Sequence, residues 1–209
     1  VMNAITIALK IRKAVNSHPV ISKYFRILGA NELIPDAYRQ SGFKDYLEPG
    51  TNWGHVVKAM KEDEFYLDPT RMTMVCGAAG FDGTQFKGIL ANRFNIQVNK
   101  TSRNSVLLQS NINNTRSDVA HLLRVLIEIC GEIDEGLRNG GEGAKKALAA
   151  RARSLMHDVP DLPNFSRFHD FFRKDAGKLT PEGDMRTAFF MAYDESSCEY
   201  VPLNGPEMD

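Results

Sequence analysis

One apolar stripe constrains this chain more than any other feature. Val119, Leu122, Leu123, Leu126, Ile129, Ile133 and Leu137 recur at three- and four-residue spacing. They therefore share one face of a helix, and that face has to be buried against something. Thr115 stands ahead of the stripe as its cap, with Asp118 three residues later completing a variant capping box. The surface it needs is read directly upstream. Residues 72–76 are short, apolar and β-prone, and residues 84–93 carry helical spacing through Phe86, Ile89 and Leu90. Residues 96–101 and 105–111 then form two strands separated by Ser102-Arg103-Asn104, a hairpin-length gap. Strand, helix, hairpin and long helix in that order predict an α/β (α+β) fold, with helices covering a small, mainly antiparallel sheet. Met74, Leu107, Leu122, Leu126 and Ile129 are expected to be buried together.

The flanks are less regular. A first helix is expected over residues 1–17, with Val1, Ile5, Ala8, Leu9 and Val15 loosely on one side and His18-Pro19 ending it. A short helix over residues 24–28, a long connection over 29–50, and one or two helical turns after Trp53 follow. Glycines around residues 138–143 break the chain before an alanine-rich helix to about residue 157. Beyond it come the aromatic cluster Phe165, Phe168, Phe171 and Phe172, a helix begun by Thr180-Pro181, and a closing strand in "CEYVPL". Three regions are thus expected: a helical connecting region at 1–64, a small α/β domain at 65–137, and a C-terminal α+β domain at 138–209. The chain opens inside a helical pattern and stops at "NGPEMD", so it is expected to be a piece of a longer one.

Composition excludes several functions. Lys+Arg and Asp+Glu both total 26, and a neutral chain lacks the basic footprint of a nucleic-acid binder. No run of about 18 apolar residues is present to span a membrane. Cys76, Cys130 and Cys198 are odd in number and far apart, which argues against a disulfide framework or zinc site and for a reducing, cytoplasmic setting. Cys76 and Cys130 are read as buried small hydrophobes, with a cysteine hydrolase using Cys76 or Cys198 as the minority alternative.

Candidate chemistry is sparse. The glycine corner at residues 77–83 matches neither the phosphate-binding loop nor the dinucleotide fingerprint, and is read as a tight strand-to-helix turn. No two of His18, His55, His121, His157 and His169 stand at i, i+4, so no metal site is expected. Arg103, at the hairpin, is the one candidate substrate-binding residue, since its planar fork suits a carboxylate. No catalytic, cofactor-binding or metal-ligating residue is assigned.

From Trp53 to Ile112 the sequence resembles the bacterial inducible-type ornithine/lysine/arginine decarboxylases. The residues that carry the likeness are Trp53, the strand entry Leu67-Asp68-Pro69-Thr70-Arg71, the helix pair Gly88-Ile89, and Val98-Asn99-Lys100-Thr101. Thr180-Pro181 and the aromatic-rich residues after it look like the family's C-terminal domain. These enzymes use pyridoxal 5'-phosphate on an aspartate-aminotransferase-like fold, and a His-Lys pair supplies their Schiff-base lysine. None of the lysines here follows a histidine. The resemblance therefore implies that the cofactor domain lies before Val1 in the same parent chain, that the substrate is a basic amino acid, and that the parent forms homodimers or larger oligomers. In related aminotransferases a small-domain arginine grips the substrate carboxylate, and Arg103 sits near such a place. The alternative is a stand-alone α/β regulatory or ligand-binding module without catalysis.

Overall fold

The computed structural model describes residues 2–158 together with Ser196. The expected aromatic cluster, the helix from Thr180, the closing strand, His169 and Cys198 lie outside the described residues. Among the described residues nine regular elements follow one another: helix α1 (Met2–Ser17), strand β1 (Arg26–Ile27), helices α2 (Ala30–Leu33) and α3 (Trp53–Glu62), strand β2 (Arg71–Val75), helix α4 (Gly83–Phe94), strands β3 (Lys100–Thr101) and β4 (Ser105–Gln109), and helix α5 (Arg116–His157).

The sheet has four strands in the order β1-β2-β4-β3, every pair antiparallel. Its register decides which side chains reach the core. Met72 pairs with Leu108 and Met74 with Val106, while Thr73 pairs with Leu107. Successive residues of a strand point to opposite faces, so Met72, Met74, Val106 and Leu108 are buried while Leu107 stands half-buried beside Thr73 on the other face. The expected burial of Leu107 is corrected by one residue of phase. Met74, Leu122, Leu126 and Ile129 do meet in one core, joined by Ile7, Ile11 and Val15 of α1 and by Phe86 and Leu90 of α4.

Helix α5 places the predicted stripe on that core from Val119 to Ile133, and Val125 and Cys130 add to it. Asp118 accepts from the Thr115 backbone N–H at 2.7 Å and from its hydroxyl at 3.2 Å, which is the Asp118 half of the expected capping box. The break expected around 138–143 is a single kink at Gly141 (φ 57°, ψ −146°), a backbone conformation that suits glycine alone. Beyond the kink the helix returns to the corner after β2, where a Cβ on Gly77 would stand 2.8 Å from the Met156 sulfur.

Two expectations about the first third change. Residues 24–28 hold strand β1 in place of a short helix, because Ile27 pairs with Met74 and needs the extended backbone to do so. Helix α1 buries Ala4, Ile7, Ala8, Ile11, Arg12 and Val15, while Ile5 is half-buried and Leu9 turns to a second, smaller core of Ala30, Phe43, Tyr46, Val56 and Ala59. Helix α3 runs ten residues from its Asn52 cap and leaves Trp53, Val57 and Met60 exposed. Among the described residues of α1, Met2 is the one large apolar side chain left exposed.

Residues Val1–His157 form one compact unit. Helix α1 and β1 share the core of β2 and β4, and α5 runs unbroken across residue 137 apart from its kink. No helix among the described residues is long and apolar enough to cross a membrane.

Candidate functional site

The hairpin between β3 and β4 holds Arg103 at its tip. Ser102 and Ser105 close it, the Ser102 N–H donating to the Ser105 carbonyl at 2.9 Å and the two hydroxyls lying 2.7 Å apart. Arg103 is exposed, and its Nη2 donates to the Ser154 carbonyl oxygen at 2.9 Å in the second half of α5. Beside it opens a cavity of about 410 Å³ lined by Asp82, Thr84, Thr101, Ser102, Arg103 and Arg151. Arg151 lies 3.4 Å from both the Gly80 carbonyl oxygen and an Asp82 carboxylate oxygen. Two guanidinium groups against one carboxylate leave a positive local balance, the electrostatics a carboxylate-bearing molecule meets favourably. Arg151, 48 residues beyond Arg103 in sequence, carried no signal that would have placed it there.

The glycine corner sits on the same side and is a turn. Its backbone N–H groups face inward: Cys76 and Gly77 both donate to the Asn104 carbonyl oxygen, at 2.8 and 2.9 Å. Gly80 adopts φ 82°, and Gly83 leaves no room for a Cβ against the Ser102 and Ser105 carbonyl oxygens. The glycines thus let the corner press against the hairpin. Asp82 caps α4 by accepting from Gln85 N at 2.8 Å, which puts a carboxylate where a phosphate cradle would want none.

The other candidates resolve into structure. Cys76 and Cys130 are fully buried. Burial, with Asp82 beside it, pushes the Cys76 thiol up to about 12; burial, with Asp134 nearby, pushes Cys130 up to about 11. Neither is a thiolate at neutral pH, so neither fits the role of nucleophile. His18 and His55 accept backbone N–H groups through Nδ1, and His121 contacts the Phe94 carbonyl oxygen through Nε2 at 3.0 Å. Among the described residues no group of three His, Cys, Asp or Glu side chains is placed to hold a metal ion.

Pyridoxal phosphate finds no fit among the described residues. Its anchor is a lysine whose amine is desolvated enough to react, and every described lysine is exposed. No step is assigned through the cofactor here.

Sequence reading missed Arg12. It is 2% exposed, donates to the Leu28 and Arg71 carbonyl oxygens at 2.8 and 2.6 Å, and lies over the Tyr46 ring at 5.9 Å. Its Nε has no partner. Burial lowers its pKa, against the pull of Asp45, Tyr46 and Asp68.

Comparison with protein-family models, with curated proteins and with solved structures returns no match for this chain.

Proposed function

We propose that this chain is the small-domain and C-terminal part of a pyridoxal-phosphate carboxy-lyase that takes arginine, lysine or ornithine to CO2 and the corresponding amine. What supports the reading is the placement of the residues that carry the resemblance. Leu67-Asp68-Pro69 leads into β2, Gly88-Ile89 lies in α4, and Lys100-Thr101 is β3, all within one unit whose helices cover an antiparallel sheet. In this reading the cofactor domain belongs to the amino-terminal part of the same cytoplasmic parent, which assembles as a dimer or larger oligomer. The present segment covers the cleft, excludes water and supports assembly, and Arg103 is the one side chain offered to the substrate. A stand-alone ligand-binding module is the second reading, and the cavity beside Arg103 favours it.

The test starts from the coding sequence upstream of Val1. The whole open reading frame is expressed, incubated with pyridoxal phosphate, reduced with borohydride and mapped by mass spectrometry. The proposal expects one stoichiometric pyridoxyl-lysine, directly after a histidine and outside residues 1–209, together with CO2 release from one basic amino acid. A stoichiometric adduct on a lysine within residues 1–209, or none anywhere, overturns it.

A further inference from the structure

A cleft at the far end of the sheet from Arg103 reaches into the main core. It lies between the start of α1, the end of β4 and the first turns of α5, and encloses about 240 Å³. Its floor is aliphatic: Ile7, Ile11, Met72, Leu108 and Leu122 line it, and the same five residues belong to the central cluster, each no more than 7% exposed. The cleft opens at the surface, and its space equals roughly eight waters at about 30 Å³ each.

The mouth has a different character. The exposed members of the lining are Asn95, Gln97, Gln109 and Asp118, with Asn114 and His121 half-buried behind them. Among the described residues Asp118 is the only carboxylate of the lining, and no lysine or arginine lines the cleft. The Thr115 backbone N–H and hydroxyl, at 2.7 and 3.2 Å, hold that carboxylate in place. His121 is turned elsewhere, to the Phe94 carbonyl oxygen and to Arg124 at 3.1 Å. An apolar floor with a few polar groups at the rim is the usual make-up of a small-molecule site. The amide groups donate and accept alike, so the sign of the ligand's head is set by Asp118, which favours a cation that donates hydrogen bonds.

We infer that this cleft is a binding site for a short aliphatic ammonium ion, its chain against Ile7, Ile11, Leu108 and Leu122 and its head beside Asp118. A chain of about five carbons with its ammonium head takes up roughly 180 Å³ at about 30 Å³ per heavy group, which leaves space in the cleft for about two waters. The inference stands on the lining alone and does not use the proposed parent reaction.

The experiment titrates the full 209-residue chain, its Ile and Leu methyls labelled with ¹³C, with pentylamine, pentanol and pentanoate in turn. Pentylamine is expected to shift the Ile7, Ile11, Leu108 and Leu122 methyls saturably, with a Kd of about 1–10 mM, as befits so few heavy atoms. Pentanoate should bind at least about tenfold more weakly, the equivalent of one lost charge contact. Asp118→Asn should weaken pentylamine by roughly the same factor while the remote Leu90 methyl stays put. Val119→Phe, which narrows the mouth, should abolish saturation. Equal binding of pentylamine and pentanoate, no saturable shift with any probe, or undiminished binding in both variants overturns the inference.

Discussion

Gly83 and Ser102 are packed so closely that a Cβ on the glycine would stand 3.0 Å from the Ser102 nitrogen and closer still to its carbonyl oxygen. The obstacle is backbone, which cannot swing aside as a flexible side chain does. Gly83→Ala is therefore expected to pry the β3–β4 hairpin from the start of α4 and to destabilise the fold by about 2–4 kcal/mol. Gly88→Ala, five residues on in the same helix with open space around it, should be neutral or stabilising by up to about 1 kcal/mol. Urea unfolding of the two variants reads the contrast; equal midpoints would refute the packing described.

Two arginines offer a second contrast. Arg12 is sealed between the cores and joins Leu28 to Arg71 through its guanidinium. Arg12→Ala strands two carbonyls and opens a void, at a cost of about 3 kcal/mol, and Arg12→Met, which restores the packing without the charge, should recover part of it. Arg103→Ala removes one exposed contact to Ser154 and should change stability by no more than about 0.5 kcal/mol. Thermal melts of the three variants check the order.

The buried thiols set a pH dependence. Cys76 is pushed up to about 12 and Cys130 to about 11 in the fold, above the ordinary value of 9.0. A folded pKa raised above the unfolded one favours the folded state while the group stays protonated. That contribution is fully present below about pH 9 and is lost as pH rises through 11 to 12. At pH 8 iodoacetamide should leave Cys76 and Cys130 unlabelled until denaturant is added. Rapid native labelling of either would contradict the burial.

Tyr24 acts in the same direction. Burial first, then its 2.6 Å hydrogen bond to Asp134, raises its hydroxyl to about 12 from 10.0. Its contribution is complete below pH 10 and fades as pH climbs through 12. Tyr24→Phe should lower stability at pH 8 and flatten its fall between pH 10 and 12; an unchanged alkaline slope would count against the bond.

What the sequence revealed follows from how local each signal was. The α5 stripe was legible because its period is long and its residues are large. The hairpin and α4 were legible because a turn or cap marks each end. Leu107 was misplaced because Val106-Leu107-Leu108 is uniformly apolar, and without alternation the phase of a strand is undetermined. Strand β1 escaped notice because its extended backbone is imposed by Met74 and Val75, nearly fifty residues away. Helix α3 was under-read because its outer side carries Trp53, Val57 and Met60, which blurs the polar contrast a surface helix normally shows. For the cavity beside Arg103, the hairpin arginine was visible; Arg151 was not, because only the return of α5 past Gly141 brings it near.

Strand β1 also limits where this protein can be cut. A truncated chain begun at residue 65, just ahead of β2, would look well chosen from local pattern alone. It would discard the two-residue strand that caps one side of β2, and with it the helix that lids the sheet. The bare N–H and C=O groups of β2 would then be a template for any extended chain nearby. Such a truncation should come out of cells as inclusion bodies or as strand-exchanged oligomers, whereas one that keeps residues 1–28 should remain dispersed.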